Sequence, residues 1–206
     1  MKKTLAVVLA FVLVIAMSVA GTFAYLTAKT EAVTNTFTAG KILDEGDVFE
    51  LKEHKAERRN NGYYELSATE EVTGNGYTVL PGVDIAKDPF VRYQVSNNAY
   101  IFVEVVNNLP KGMTATVDST VWDVLEGVKG PHDGKIYTLK DGKVTPVNAN
   151  VTARILKDDQ VVVDGTFVAG TEGINDLVFY GYLTQADSFD TPKLAWNATF
   201  GAPAKA

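Results

Sequence analysis

The chain has 206 residues, 46% hydrophobic and 21% charged. That length and balance suit one folded domain with a sizeable core and exclude disorder throughout. Its formal charge is −6, and its one basic run is the short Lys55-Ala56-Glu57-Arg58-Arg59, so a nucleic-acid partner, which needs clustered positive charge, is not expected. The absence of cysteine excludes disulfides, thiolate metal sites, cysteine nucleophiles and lipid attachment through a thiol.

The first predicted element is a hydrophobic N-terminal signal helix. Met1-Lys2-Lys3 supplies a positive start, Leu5 to Ala20 is uncharged, and Gly21 breaks the run before Thr22-Phe23-Ala24. A small-x-small triplet in that place is the layout of a secretory signal peptide, residues 1–24. The rival reading is an uncleaved membrane anchor, for which the apolar run is short of the about 20 residues a span needs. A cut after Ala24 leaves Tyr25 as the new N-terminus, and a cut one or two residues away is the alternative. Without Lys2 and Lys3 the chain carries 17 basic and 25 acidic residues, a charge of −8. Residues 25–40 then form an arm. Alternation puts Val33, Asn35 and Phe37 on one side and Thr34, Thr36 and Thr38 on the other, which makes this stretch a candidate donor strand. It has no proline, and its only charges are Lys29 and Glu31, so little blunts its pairing with another edge.

From residue 41 onward the pattern is β almost throughout. Val48 to Arg59 places Phe49, Leu51 and Lys52 irregularly and reads as a weak helix candidate or a charged surface loop. Asn75-Gly76 reads as a turn before Tyr77, and Leu80-Pro81-Gly82 as a second turn, with proline fixing φ and glycine accepting positive φ. Lys87-Asp88-Pro89 introduces the next strand. In Tyr100 to Val106, Ile101, Val103 and Val105 share one face and Tyr100, Phe102, Glu104 and Val106 the other. Apolar residues on both faces mark a central strand between a core and a partial cover. Asp141-Gly142 separates residues 135–140 from 143–147. Asp164-Gly165, between Val161–Val163 and Phe167-Val168, is a hairpin signal. Leu177 to Leu183 reads as another strand. The clearest helix runs from Thr191, a good N-cap, through Pro192 to Ala198, with Gly201 to end it. Leu194 and Ala198 share a side of it, and Trp196 is available to cover an edge. The expected fold is all-β: a jelly-roll-like β-sandwich with few short helices, as one domain over 41–201, with 202–206 a frayed tail.

Motifs for chemistry are sparse. His54 and His132 lie outside any HExxH motif, and surface histidines are the ordinary explanation of both, although two such residues with a carboxylate could meet over a metal. The acidic groups Asp44-Glu45-Gly46-Asp47, Glu70-Glu71 and Asp158-Asp159 lack calcium-loop spacing. Asp187, Ser188, Asp190 and Thr191 suit turn and cap roles. Ser67, Ser96, Ser119 and Ser188 lie in no nucleophile motif. Tyr63, Tyr64, Tyr77, Tyr93, Tyr100, Phe102, Phe179, Tyr180 and Tyr182 read as core or cross-strand aromatics rather than a binding face. Leu80-Pro81-Gly82-Val83-Asp84 departs from a sortase signal at its last two positions. No catalytic residue, cofactor or metal ligand is singled out, and the expectation is a protein that is not an enzyme.

Gly21-Thr22-Phe23-Ala24, and the Thr/Asn-rich stretch ending Asn35-Thr36-Phe37-Thr38-Ala39-Gly40, closely resemble the signal-peptide region of the TasA/camelysin (CalY) family, whose members are processed by a SipW-type signal peptidase. Residues 77–107 and 179–201 resemble a clostridial-type branch of that family, and 108–176 carry no resemblance. The resemblance implies a jelly-roll sandwich in a secreted protein of a Gram-positive bacterium, placed in the extracellular biofilm matrix or on the cell surface. It implies two partners: the signal peptidase, and further copies of the chain, joined into fibres by donation of the N-terminal strand after cleavage. Membrane contact would come only through the uncleaved signal peptide. Two alternatives stand beside this: a monomeric surface-binding module or adhesin, and a camelysin-like metalloprotease.

Overall fold

The strand expected at Tyr100–Val106 is the middle of the molecule. The computed structural model describes residues 27–29, 43–168 and 176–201. Within these, Ala99–Asn107 (β6) lies between Leu177–Gln185 (β12) and Lys135–Val144 (β9). The same sheet adds Thr27–Lys29 (β1) outside β12 and Trp122–Val124 (β8) outside β9. A second sheet takes the order Val151–Arg154 (β10), Phe90–Gln94 (β5), Val48–Arg58 (β2) and Tyr64–Val72 (β3). A third holds Ile85–Ala86 (β4), Leu156–Val163 (β11) and Met113–Val117 (β7). Every pair is antiparallel.

Period-two alternation along β6 decides which layer each side chain enters. Ile101, Val103 and Val105 point into the main core, where they meet Phe49, Leu51 and Val91 of the second sheet and Ile85, Met113 and Val161 of the third. Each such side chain contributes about 1.5–3 kcal/mol by leaving water. On the other face, Tyr100 and Phe102 join Ile136, Tyr182 and Trp196 in a smaller cluster beneath Pro192–Thr199 (α1), the one helix among the described residues. The body is therefore all-β and sandwich-like, with the central sheet covered on both faces.

Helix α1 begins as its sequence requires. The Thr191 hydroxyl accepts from the Leu194 N–H, proline opens the first turn, and the N–H groups of Phe200 and Gly201 close on the Trp196 carbonyl. Its buried side differs from expectation: Ala195 and Trp196 face the sheet, and Leu194 is half exposed. Trp196 takes that side because Phe102, Tyr182 and Phe200 offer it tilted and edge-to-face partners with centroids 5.0–5.2 Å away.

Four local readings change. Val48–Arg58 is an 11-residue strand, not a helix or a loop. Phe49, Leu51 and Glu53 all point inward, and the charge at the third inward position hides the alternation. Asp141-Gly142 does not turn the chain; it sits in a bulge inside β9, with Gly142 at φ 68°. At Asp164-Gly165 the turn forms, with Thr166 N–H and hydroxyl both on the Asp164 carboxylate, but Phe167-Val168 adds no strand. Asn75 makes no tight turn. Its side chain accepts from Ala56 N–H and donates to the His54 carbonyl, bridging the register break between β2 and β3. Leu80-Pro81-Gly82 does turn, with Val83 N–H on the Leu80 carbonyl and Gly82 at φ 71°.

Candidate functional site: an arm-bearing sheet edge backed by a buried carboxylate

The cleavage residues Thr22, Phe23, Ala24 and Tyr25 and the candidate strand residues Val33, Asn35 and Phe37 lie outside the described residues, as do the signal helix and the 202–206 tail. Three residues of the arm are described. Thr27, Ala28 and Lys29 form β1 and pair antiparallel with Thr184, Leu183 and Tyr182 of β12. The arm thus meets the folded body by adding a strand to the edge of the five-stranded sheet.

Directly behind that edge is a polar site inside the molecule. Tyr182, whose register partner on β1 is Lys29, donates its hydroxyl to Oε2 of Glu104 at 2.7 Å. Glu104 is on β6 and is 0% exposed. Its carboxylate also accepts from the N–H groups of His132 and Gly134, each at 2.9 Å, and lies 3.0 Å from Nδ1 of His132. A carboxylate only accepts, so that ring nitrogen carries a proton. The His132 ring stacks on Tyr180 at 3.7 Å and 2°. Glycine makes this closeness possible. A Cβ on Gly130 would stand 2.0 Å from Oε1 of Glu104, and one on Gly134 would stand 2.5 Å from its Cγ and 2.9 Å from the Val105 carbonyl oxygen. Burial pushes the Glu104 carboxyl up. The hydrogen bonds from Tyr182, His132 and Gly134 together outweigh it and hold the carboxyl below its ordinary range. The Tyr182 hydroxyl is pushed well up, first by burial and then by the charge it serves.

No family model matches the chain, and no curated protein or solved structure matches it either.

A second buried carboxylate lies where the other two sheets meet. Asp88, in the short link between β4 and β5, is 1% exposed. It accepts from His54 N–H at 2.9 Å, lies 2.6 Å from His54 Nδ1, and pairs with Arg154, which also reaches Asp159 at 3.1 Å. Beside it, Lys87 Nζ lies 2.6 Å from Oε2 of Glu53, whose Oε1 has no hydrogen-bond partner among the described residues. A cavity of about 220 Å³ with a mixed lining opens next to this group, with Ile85, Leu109, Met113 and Val161 on its apolar side and Asn75, Lys87 and Asp176 on its polar side.

The structure therefore separates the two histidines. Each is held through Nδ1 by its own carboxylate, His54 by Asp88 and His132 by Glu104. Among the described residues no group of three or more His, Asp or Glu side chains could hold a metal ion. The acidic loop groups have other work. Asp44 and Asp47 fasten the residue 43–47 segment to Ser96 and Asn97. Glu70 pairs with Lys55, Glu71 with Arg92, and Asp187 with Asn98. Most of the aromatics are core, as expected; Tyr63 is the half-exposed exception. Sequence reasoning did not single out Glu104, Asp88 or Arg154. The available signal was an acid inside an apolar strand, together with Gly130-Pro131-His132-Asp133-Gly134, a loop with glycine at both ends. Among the described residues no helix is long and apolar enough to cross a membrane.

Proposed function

We propose that this chain is an exported structural protein of the cell surface or biofilm matrix, non-enzymatic, assembling into fibres after signal-peptide cleavage when the arm at 25–40 pairs with a neighbouring copy. The observation that carries the reading is β1: the described part of the arm is already a strand on a sheet edge. Pairing made along an edge within one chain can be made between two chains, since main-chain hydrogen bonds supply the affinity in either case. A head-to-tail contact of that kind does not close, so it propagates as a fibre. The sheets fit a jelly-roll sandwich as the platform. The signal-like residues 1–24 and the resemblance to the TasA/camelysin family support export by a SipW-type peptidase, from a Gram-positive bacterium.

Electron microscopy of residues 25–206 beside residues 41–206 tests it, both incubated at rising concentration. Fibres are expected from the longer chain only. Folded monomers from both, or fibres from both, overturn the role given to the arm.

A further inference from the structure

The contact between Glu53 and Lys87 joins two buried side chains, Glu53 at 0% exposure and Lys87 at 8%. The ion pair of His54 with Asp88, by contrast, has one side chain 19% exposed. Nζ of Lys87 lies 2.6 Å from Oε2 of Glu53. The backbone holds the two together from both sides. Glu53 sits on β2 in register with Val72, and the Lys87 N–H donates to the Asp159 carbonyl at 2.8 Å. One residue further along each segment, the His54 N–H donates to the Asp88 carboxylate at 2.9 Å. The surroundings of the amine are otherwise aromatic: Nζ stands 5.4 Å from the centre of the Tyr77 ring and 5.9 Å from that of Phe179. The Tyr77 hydroxyl is pushed up, first by burial and then by the charge of Glu53, which marks a poorly solvated place.

We propose that Lys87 and Glu53 condense once the chain has folded, forming a side-chain amide between Nζ and Cδ. Nζ attacks Cδ, which is one bond beyond the oxygen it already touches. The Nζ–Cδ bond forms and the Cδ–Oε2 bond breaks. The ammonium gives up two protons, both leave with Oε2 as one water, and Oε1 becomes the amide oxygen. Nothing is oxidised or reduced, and no further reactant is consumed. The fold supplies what the step needs. Holding amine and carboxyl in contact replaces a bimolecular encounter, which is worth several orders of magnitude in rate. Burial removes the water that stabilises separate charges, so a proton passes along the 2.6 Å hydrogen bond and leaves the amine with its lone pair. Exclusion of bulk water also protects the product from hydrolysis. The resulting staple ties β2 of the second sheet to the link that leaves β4 of the third, across 34 residues of sequence. In a chain without cysteine it constrains the unfolded state as a disulfide would. The proposal is independent of fibre formation.

Mass spectrometry of the purified chain, denatured and digested with trypsin, reads the bond directly. An amide-linked Lys87 resists the protease, so residues 53–55 should appear joined to residues 60–92 in one branched peptide, lighter by one water than its two parts. The branched peptide should grow in with time after refolding, stay absent from chain kept in urea, and be missing from Lys87→Met. The wild-type map decides the matter even where that variant does not fold. Free 53–55 together with cleavage after Lys87 in the folded, incubated chain would overturn the proposal and leave an ion pair only. A water lost instead at Asp141-Gly142 or Asp164-Gly165, as a backbone succinimide with 53–55 still free, would overturn it as well. Equal amounts of branched peptide in folded and urea-held chain would overturn the claim that the fold drives the step.

Discussion

Glu104 and Asp88 are both buried carboxylates that hold a histidine through Nδ1, yet they are neutralised in different ways. Glu104 is served by dipoles: two backbone N–H groups, a tyrosine hydroxyl and an imidazole, in a loop whose glycines let the backbone close over it. Asp88 is served by a cation, Arg154, whose side chain is 42% exposed, together with the His54 backbone and ring. The first arrangement is enclosed at Tyr182, which is fully buried, and part-buried at the loop, where the His132 side chain is 33% exposed. The second is a bridge with one foot in water, and its cation has a further partner in Asp159. Two buried acids of similar accessibility should therefore differ in what they contribute, and the difference lies in what their partners can do once the acid is gone.

The largest expected effect breaks or keeps that comparison. Glu104→Ala strands the buried Tyr182 hydroxyl and takes the acceptor from the part-buried His132 and Gly134 N–H groups. Orphaned buried donors cost about 1–3 kcal/mol apiece, and losses of this kind are not additive, so a total of about 3–5 kcal/mol is expected. Asp88→Ala leaves Arg154 able to turn to solvent or keep Asp159 but orphans the His54 N–H, and about 1–3 kcal/mol is expected. Urea unfolding of both variants beside wild type measures the two costs. Equal costs would mean that the cation at Asp88 is as trapped as the dipoles at Glu104.

The pH response sharpens the same contrast. The folded Glu104 carboxyl is held below its ordinary range. A depressed carboxylate adds stability that is complete above the unfolded value, about 4.3, and is lost as pH falls through the lower folded value. Glu71, part-buried and drawn down chiefly by its hydrogen bond to Arg92, acts in the same direction. Glu104→Gln should therefore flatten the fall in stability below about pH 4 while lowering stability at neutrality. Melting temperatures of the two proteins between pH 3 and 7 give the readout. Parallel curves would assign the acid sensitivity to other groups.

How much of this was legible beforehand depends on whether the cause is local. The β6 alternation and the Thr191-Pro192 start of α1 depend on neighbours within a few residues, and both are where the sequence places them. β2 escaped notice because its third inward position is Glu53, whose partner Lys87 is 34 residues away. Asp141-Gly142 has turn chemistry, but the tertiary context of the central sheet turns it into a bulge. The Glu104 site draws on β6, the loop before β9 and β12, a convergence that no single window contains. The Asp88 site likewise collects His54, Asp88 and Arg154 from three strands or their links.

The smallest expected effect concerns the backbone on the Asp88 side. Asp158 and Asp159 both have left-handed φ, 57° and 52°, at the irregularity in β11 that brings Asp159 to Arg154. Left-handed conformation costs a residue with a side chain about 1–2 kcal/mol relative to right-handed. Asp158 is exposed, so Asp158→Gly removes that cost without breaking a buried contact. Glycine returns part of the gain through its freer unfolded chain, about 0.5–1 kcal/mol. A net stabilisation of about 0.5 kcal/mol is expected, a rise of roughly 2 °C in Tm for a domain of this size. The Glu104 loop offers the matching control, since Asp133 also has positive φ, 60°, in a loop already bounded by glycines. If Asp158→Gly lowers Tm, the αL pair is a favourable part of the β11 turn, and the cation-served site is more rigidly built than its exposure suggests.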